Sequence, residues 1–142
     1  MSKPRISRLS VWSGVAALAC LAASAAFSAE GLKLSGDEEV PPVKTSATGA
    51  GSISVSAEGQ VSGSVTTTGL AGTMAHIHMA PKGKNGPVIV PLTKSADGAM
   101  WSVPPGTKLT ADQLAAYKSG ELYVNVHTEA NKGGEVRAQL KP

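Results

Sequence analysis

Short runs of alternating apolar and polar residues, separated by turn residues, extend along most of the chain. Residues 51–56 alternate Ser with Ile and Val, and residues 60–66 continue the alternation after the turn Ala57-Glu58-Gly59. Because successive side chains of a β-strand point to opposite faces, these two runs predict a β-hairpin with one apolar face.

Similar runs recur towards the C-terminus, at residues 74–79, 87–92, 100–103, 122–128 and 135–140. Pro87 and Pro91 lack the backbone donor that an interior strand needs, so they indicate either an edge strand at 87–92 or the two ends of a strand. Many short strands with turn residues between them are typical of a sandwich or a barrel. The pattern therefore predicts an all-β, antiparallel fold.

One short helix interrupts the strands. Thr110-Ala111-Asp112-Gln113 has the form of a capping box, and Gly120 is placed to end the helix that follows. A helix of about two turns is too short to form a layer of its own. We expect it to be a connection between strands.

The N-terminal segment has the features of a secretory signal peptide. Lys3, Arg5 and Arg8 precede an uncharged apolar stretch at 9–27, and small residues follow it. We therefore divide the chain into a signal peptide at 1–29 and a β-sandwich domain at 30–142. The expected location is the periplasm or the outside of the cell, with no transmembrane segment in the mature form.

Removing this segment changes the charge balance of the protein. The full chain has 13 Lys and Arg against 10 Asp and Glu, but three of the basic residues and none of the acidic ones lie in the signal. The mature domain is then formally neutral, which gives no reason to expect a nucleic-acid partner. Cys20 also lies in the signal, where lipid attachment is open but disfavoured by Ala17, and no thiol remains for a disulfide or a cysteine ligand.

All three histidines of the chain fall on predicted strands. His76 and His78 alternate with Ala75, Ile77 and Met79, and His127 ends a strand whose other face is Leu122, Val124 and Val126. The imidazoles therefore leave the apolar faces of their strands together. If the two strands are neighbours, the three imidazoles could form a metal site. The alternative is that the histidines are polar residues on a solvated sheet face and bind no metal. Three neutral imidazoles without cysteine suit copper, with zinc possible, and leave a position open for water or a small anion.

Several other residues have two interpretations. Met74 shares the histidine face and could be a soft fourth ligand for Cu(I), although gap filling at a strand end is favoured. Arg137 alternates out of the core and could guide an anion to the metal, or it could pair with Glu135 or Glu129. Residues 37–39, Asp-Glu-Glu, are expected to form a solvated acidic turn rather than a calcium site. Met79 and Met100 are expected in the core.

The order of several motifs resembles the CHRD domain, a family first defined in chordin that also occurs as stand-alone exported bacterial proteins. The resemblance spans about residues 32–141. It rests on LSGDEEVPPV at 34–43, AHIH at 75–78, GPVIV at 86–90, YVNVHT at 123–128, GGEVR at 133–137 and QL at 139–140. Asp37-Glu38 and Met79 depart from the usual family pattern. The family name implies a domain and no particular reaction.

A more distant likeness concerns copper-zinc superoxide dismutase, a Greek-key sandwich with a His-x-His strand, a distal histidine and an arginine near the C-terminus. The two resemblances together imply a Greek-key, immunoglobulin- or superoxide-dismutase-like antiparallel β-sandwich. They favour an exported copper protein that uses His76, His78 and His127, with superoxide dismutation as a possible activity. The alternative is a metal-independent extracellular protein-interaction module. The sequence leaves the oligomeric state open.

Overall fold

A computed structural model describes residues 31–142, and their strands form one antiparallel sheet. The signal peptide expected at 1–29 lies outside the described residues. The strands are β1 (Leu32–Ser35), β2 (Thr48–Val55), β3 (Val61–Thr68), β4 (Gly72–Met79), β5 (Val88–Pro91), β6 (Thr93–Lys94), β7 (Met100–Ser102), β8 (Leu122–Thr128) and β9 (Val136–Gln139). A 3-10 turn follows β1 at Gly36–Glu38, and the helix α1 spans Ala111–Lys118.

The sheet is nearly closed into a barrel. Its strand order is β5-β4-β8-β9-β1-β2-β3-β7-β6. The two outermost strands, β5 and β6, are consecutive in the chain, and they pair with β4 and β7 respectively. Leu92 lies between them and donates its backbone N–H to Ala75 of β4. One continuous segment therefore joins the two edges, which leaves little backbone unpaired for another chain to join.

The inner face of the sheet holds the hydrophobic core. Alternate residues of the strands point inward, and Trp101 fills the region where β4 and β7 approach each other. A Cβ on Gly72 would overlap the Trp101 ring, so the glycine permits this close contact. The core consists mainly of aliphatic side chains, including Leu34, Ile53, Val55, Val65, Ile77, Leu122, Val124, Val126, Val136 and Leu140.

The helix α1 connects β7 to β8 as expected. Thr110 accepts from the backbone N–H of Gln113, and the Gln113 side chain accepts from the backbone N–H of Thr110, so the predicted capping box is present. Gly120 has a positive φ of 74°, which ends the helix at low conformational cost. Tyr117 packs its ring into the core and donates its hydroxyl to the Lys141 carbonyl.

The outer face of β8 is not solvated, because two connecting segments cover it. Every residue of β8 is buried, including Tyr123, Asn125 and His127 on the face opposite the core. The loop at 80–87 and the segment at 36–47 lie over this region. Asn85 ties them together, since its side-chain amide donates to the Val40 carbonyl at 2.8 Å. The barrel therefore has a second layer outside the sheet that contains polar side chains, among them Asn85, Tyr123, Asn125 and His127. We call it the polar layer.

The predicted antiparallel, mainly β fold with one short helix is confirmed. The Greek-key sandwich stays a prediction, because the strands are joined in a single continuous sheet. The expectation that Met100 belongs to the core is wrong, since it is 40% exposed on β7; Met79 is half-buried against the core. Within residues 31–142, no helix is long and apolar enough to cross a membrane.

Candidate metal centre

The pairing of β4 with β8 brings the three histidines to one place on the polar layer. In the antiparallel register, His76 lies opposite Asn125, His78 lies opposite Tyr123, and His127 lies opposite Met74. The side chains of His76 and His78 leave β4 on the side away from Ala75 and Ile77, which are buried in the core. The condition that the sequence left open, that the two histidine strands are neighbours, is therefore met.

The imidazoles form a compact cluster. One nitrogen from each of His76, His78 and His127 can be chosen so that all three lie within 4.8 Å of one another. Nδ1 of His76 lies 3.0 Å from Nε2 of His127. A metal with bonds of about 2.0–2.1 Å holds tetrahedral nitrogens about 3.3 Å apart. One pair is thus near the required spacing, and the cluster has to tighten by up to about 1.5 Å to hold a tetrahedral ion.

Backbone carbonyls fix the orientation of two of these rings. Nδ1 of His78 lies 2.9 Å from the Gly86 carbonyl, and Nδ1 of His127 lies 2.8 Å from the Lys132 carbonyl. A carbonyl oxygen can only accept, so each Nδ1 carries the proton and each Nε2 presents a lone pair. Metal-bound histidines commonly have an outer hydrogen bond of this kind, which sets the tautomer and the ring orientation.

The loop geometry that supplies one of these carbonyls depends on a glycine. A Cβ on Gly86 would overlap the Met79 carbonyl and the Ala80 side chain. The loop can therefore return close enough to β4 to place its carbonyl on His78 only when residue 86 has no side chain. The same residue donates its N–H to the Tyr123 hydroxyl at 3.1 Å.

The surroundings favour neutral imidazoles. Burial lowers the pKa of His76, and the neighbouring His127 and His78 lower it further. Burial is also the main cause that lowers the pKa of His78, although its bond to the Gly86 carbonyl acts in the opposite direction. A neutral imidazole is the form that binds a metal, so these two shifts favour coordination by His76 and His78.

Three buried polar atoms of the polar layer have no hydrogen-bond partner: His78 Nε2, Asn125 Oδ1 and Glu39 Oε1. Such atoms are uncommon in folded proteins, and each calls for a specific explanation such as a bound ion or water. His78 belongs to the cluster in which one ring nitrogen from each histidine lies within 4.8 Å of the others. A metal ion would supply the partner that the protein itself does not.

The structure places Arg137 beneath the site rather than at its entrance. Its guanidinium carbon lies 3.4 Å from the centroid of the Tyr123 ring, and the other ring face of Tyr123 stacks on His78. Arg137 donates to Asn85 Oδ1 at 3.0 Å and to the Lys84 carbonyl at 2.6 Å, and it is only 1% exposed. The charge of Arg137 could attract an anion, but an anion in the solvent could not contact the guanidinium group in this conformation.

The ion pairs expected for Arg137 are not formed. Glu135 accepts hydrogen bonds from Thr45, Thr128 and Asn131, and these bonds lower its pKa. Glu129 pairs instead with Lys132 at the surface. The alternation of β9 correctly takes Arg137 out of the core, but the cover over that face could not be inferred from the strand itself.

Glu39 contradicts the prediction of a solvated acidic turn at 37–39. Asp37 is exposed and Glu38 pairs with Lys82, whereas the Glu39 side chain enters the polar layer and is only 4% exposed. Burial raises the pKa of Glu39 to about 7, against the opposing effects of the Arg137 charge and a hydrogen bond from Asn125. Sequence reasoning missed the burial of Glu39, and it gave Tyr123 and Asn125 no functional role, although their alternation places both on the same strand face as His127.

The family model for the CHRD domain matches residues 31–140. The chain belongs to the CHRD domain family. The matched region includes both histidine strands and every residue of the polar layer named above. No curated protein and no solved structure matches the chain.

Met74 lies at the solvent edge of the CHRD domain's histidine cluster. It is 53% exposed, so the favoured expectation that it fills a gap at a strand end is wrong. The candidate site thus consists of three imidazoles, two of them oriented by carbonyls, with Met74 opposite His127 in the strand register and a buried arginine and carboxyl in the same polar layer.

Proposed function

We propose that this protein is an exported metal-binding protein that holds one transition-metal ion through His76, His78 and His127. The observation that carries the proposal is the convergence of three imidazoles, two of which are held by backbone carbonyls with their Nε2 lone pairs turned inward. In the metal-free protein, His76 Nδ1 and His127 Nε2 form a hydrogen bond, but the buried His78 Nε2 has no partner, and a bound ion would supply one.

Copper is the metal that we propose. Three imidazoles without a thiolate or a carboxylate suit Cu(II) and Zn(II), and at equal supply the intrinsic order of affinities favours Cu(II). The signal-like segment at the N-terminus supports a periplasmic or secreted location. Elemental analysis of the protein isolated from its own compartment tests the metal, and its N-terminal sequence tests the processing.

The decisive experiment is a metal titration. Protein produced from the full-length gene is stripped with a chelator and titrated with Cu(II) and with Zn(II) against a competing ligand. We expect one ion per chain with a sub-micromolar dissociation constant, and a large loss of affinity in His78→Ala and His127→Ala. Lys118→Ala, at the exposed end of α1, is the control and should bind as the wild type does. Unchanged affinity in the triple His→Ala variant would refute the proposal.

We also propose that the copper-loaded protein catalyses the dismutation of superoxide. Three protein ligands leave a coordination position open to a small molecule, and bound copper would supply the one-electron chemistry. Arg137 would act on an approaching anion through its electric field, because its guanidinium is buried. If the copper-loaded protein dismutes superoxide no faster than an equal amount of copper–histidine complex, the proposed enzymatic activity is wrong. The proposed metal binding would still stand.

A further inference from the structure

The exposed methionine beside the histidine cluster is not explained by packing. Residues 31–142 contain three methionines, and Met79 is packed against the hydrophobic core. Met74 is 53% exposed and takes no part in the core. Single exposed apolar side chains are common, so exposure alone assigns Met74 no role, but it leaves the thioether accessible to a ligand.

The register of the sheet places Met74 next to two of the proposed ligands. It lies directly opposite His127 on β8, and directly opposed residues of an antiparallel pair have Cβ atoms about 4.5–5.5 Å apart. It also precedes His76 by two residues along β4, on the same side of the strand. The neighbouring Thr73 donates to the His127 carbonyl at 3.2 Å, which holds the two strands together at this point.

The chemistry of the side chain complements that of the imidazoles. A thioether is a soft, uncharged donor that prefers Cu(I), whereas imidazole serves Cu(II), Zn(II) and Cu(I) alike. Methionine is also unbranched and flexible, so its sulfur can approach a nearby ion without movement of the backbone. The exposed side chain has no packing contacts with the core to lose when it does so.

We propose that Met74 is a soft fourth ligand that binds Cu(I) at the three-histidine site and contributes little to binding of Cu(II) or Zn(II). This inference rests on the metal site proposed above and specifies it further. With Met74 as a ligand, the site would retain copper in both oxidation states. It also predicts that the sulfur raises the Cu(II)/Cu(I) reduction potential, since it stabilises the reduced state selectively.

The test is Met74→Leu, which removes the sulfur and preserves the approximate volume. Met100→Leu is the matched control, because Met100 is also exposed but lies on β7, which pairs with β3 and β6 and not with a histidine strand. Cu(I) affinity is measured anaerobically against bicinchoninate, and Cu(II) and Zn(II) affinities are measured in parallel. X-ray absorption of the Cu(I) form reports directly on a copper–sulfur bond.

We expect Met74→Leu to weaken Cu(I) binding by about tenfold or more, while Cu(II) and Zn(II) affinities stay within about twofold. A tenfold selective loss corresponds to a fall of about 59 mV in the one-electron reduction potential. Copper–sulfur scattering should be present in wild type and Met100→Leu and absent in Met74→Leu.

Two further outcomes distinguish this inference from the proposed function. If Met74→Leu keeps its Cu(I) affinity and wild type shows no copper–sulfur scattering, the inference is wrong while the three-histidine site stands. If wild type binds neither Cu(II) nor Zn(II), the proposed function fails, and the ligand role of Met74 fails with it.

Discussion

Replacement of Glu39 by Gln tests whether the polar layer holds a carboxyl that stays protonated near neutral pH. The substitution keeps the shape of the side chain and removes its ability to ionise. In the wild type, Glu39 is almost completely buried and its Oε1 has no hydrogen-bond partner. Burial raises its pKa from 4.5 to about 7, in spite of the nearby Arg137 charge.

The raised pKa has a defined effect on stability. The folded state keeps the proton up to about pH 7, whereas the unfolded chain releases it near 4.5. The contribution of Glu39 to stability is therefore fully present below pH 4.5 and is lost as the pH rises through 7. Each tenfold difference in proton affinity corresponds to about 1.4 kcal/mol, so the total loss is roughly 3 kcal/mol.

The assay is urea unfolding of metal-stripped wild type and Glu39→Gln at a series of pH values between about 4 and 8. Both proteins contain the same other ionisable groups, so the difference between the two free energies of unfolding isolates Glu39. That difference should move in favour of Glu39→Gln by roughly 3 kcal/mol from the acid to the alkaline end. Parallel curves would refute the reasoning, and Glu58→Gln serves as the exposed control.

Three further substitutions test the loop carbonyl that contacts His78, the buried arginine and the hydrophobic core, each by itself. Gly86→Ala should displace the carbonyl from His78 and weaken Zn(II) binding by roughly 10–100-fold in a chelator competition, and unchanged affinity would contradict that role of the loop. Arg137→Met should lower the free energy of unfolding by about 3 kcal/mol in urea, because the Asn85 and Lys84 acceptors lose a buried donor; a change below about 1 kcal/mol would argue against it. Leu34→Ala should cost about 2–5 kcal/mol and leave metal affinity unaltered, and a weaker metal complex would show that the core and the site are coupled.

The sheet and the helix could be predicted from the sequence because their signals are local. Alternation over 51–56 and 60–66 predicted the hairpin that the structure contains as β2 and β3, and the capping box at 110–113 predicted the start of α1. The strand at 32–35 was missed, because it is only four residues long and the alternation of Leu32 and Leu34 is brief. The strand pattern allowed a sandwich or a barrel, and it could not decide for the nearly closed sheet, since closure depends on one segment pairing with two distant strands.

The face of the sheet that carries the histidines could be predicted, but its environment could not. Period-two alternation correctly separates His76, His78 and His127 from the core, because that separation is a property of each strand alone. The cover over the face comes from loops that are remote in sequence. Arg137 and Asn85 are 52 residues apart, and nothing in either local pattern indicates that they meet.

The environment matters because it changes what the residues can do. On an open sheet, an arginine between two strands would be a surface charge, and Glu39 would be an ordinary acidic side chain. Under the loops, Arg137 becomes a structural donor that stacks on Tyr123, and Glu39 becomes a carboxyl whose pKa is raised to about 7. The ion pairs considered for Arg137 and the solvated turn expected at Glu39 were wrong for the same physical reason, which is the exclusion of water from this face.

The orientation of the imidazoles is also the strongest physical argument that the site binds a cation. The Gly86 and Lys132 carbonyls come from two different loops, and each requires a proton on the Nδ1 that it faces. Nε2 of His78 and Nε2 of His127 therefore carry lone pairs, and burial together with the neighbouring histidines lowers the pKa of His76 and of His78. In the metal-free protein, Nδ1–H of His76 can donate to Nε2 of His127, whereas the buried Nε2 of His78 has no hydrogen-bond partner. One metal ion could accept a lone pair from all three rings, including the one at His78 that the protein leaves without a partner.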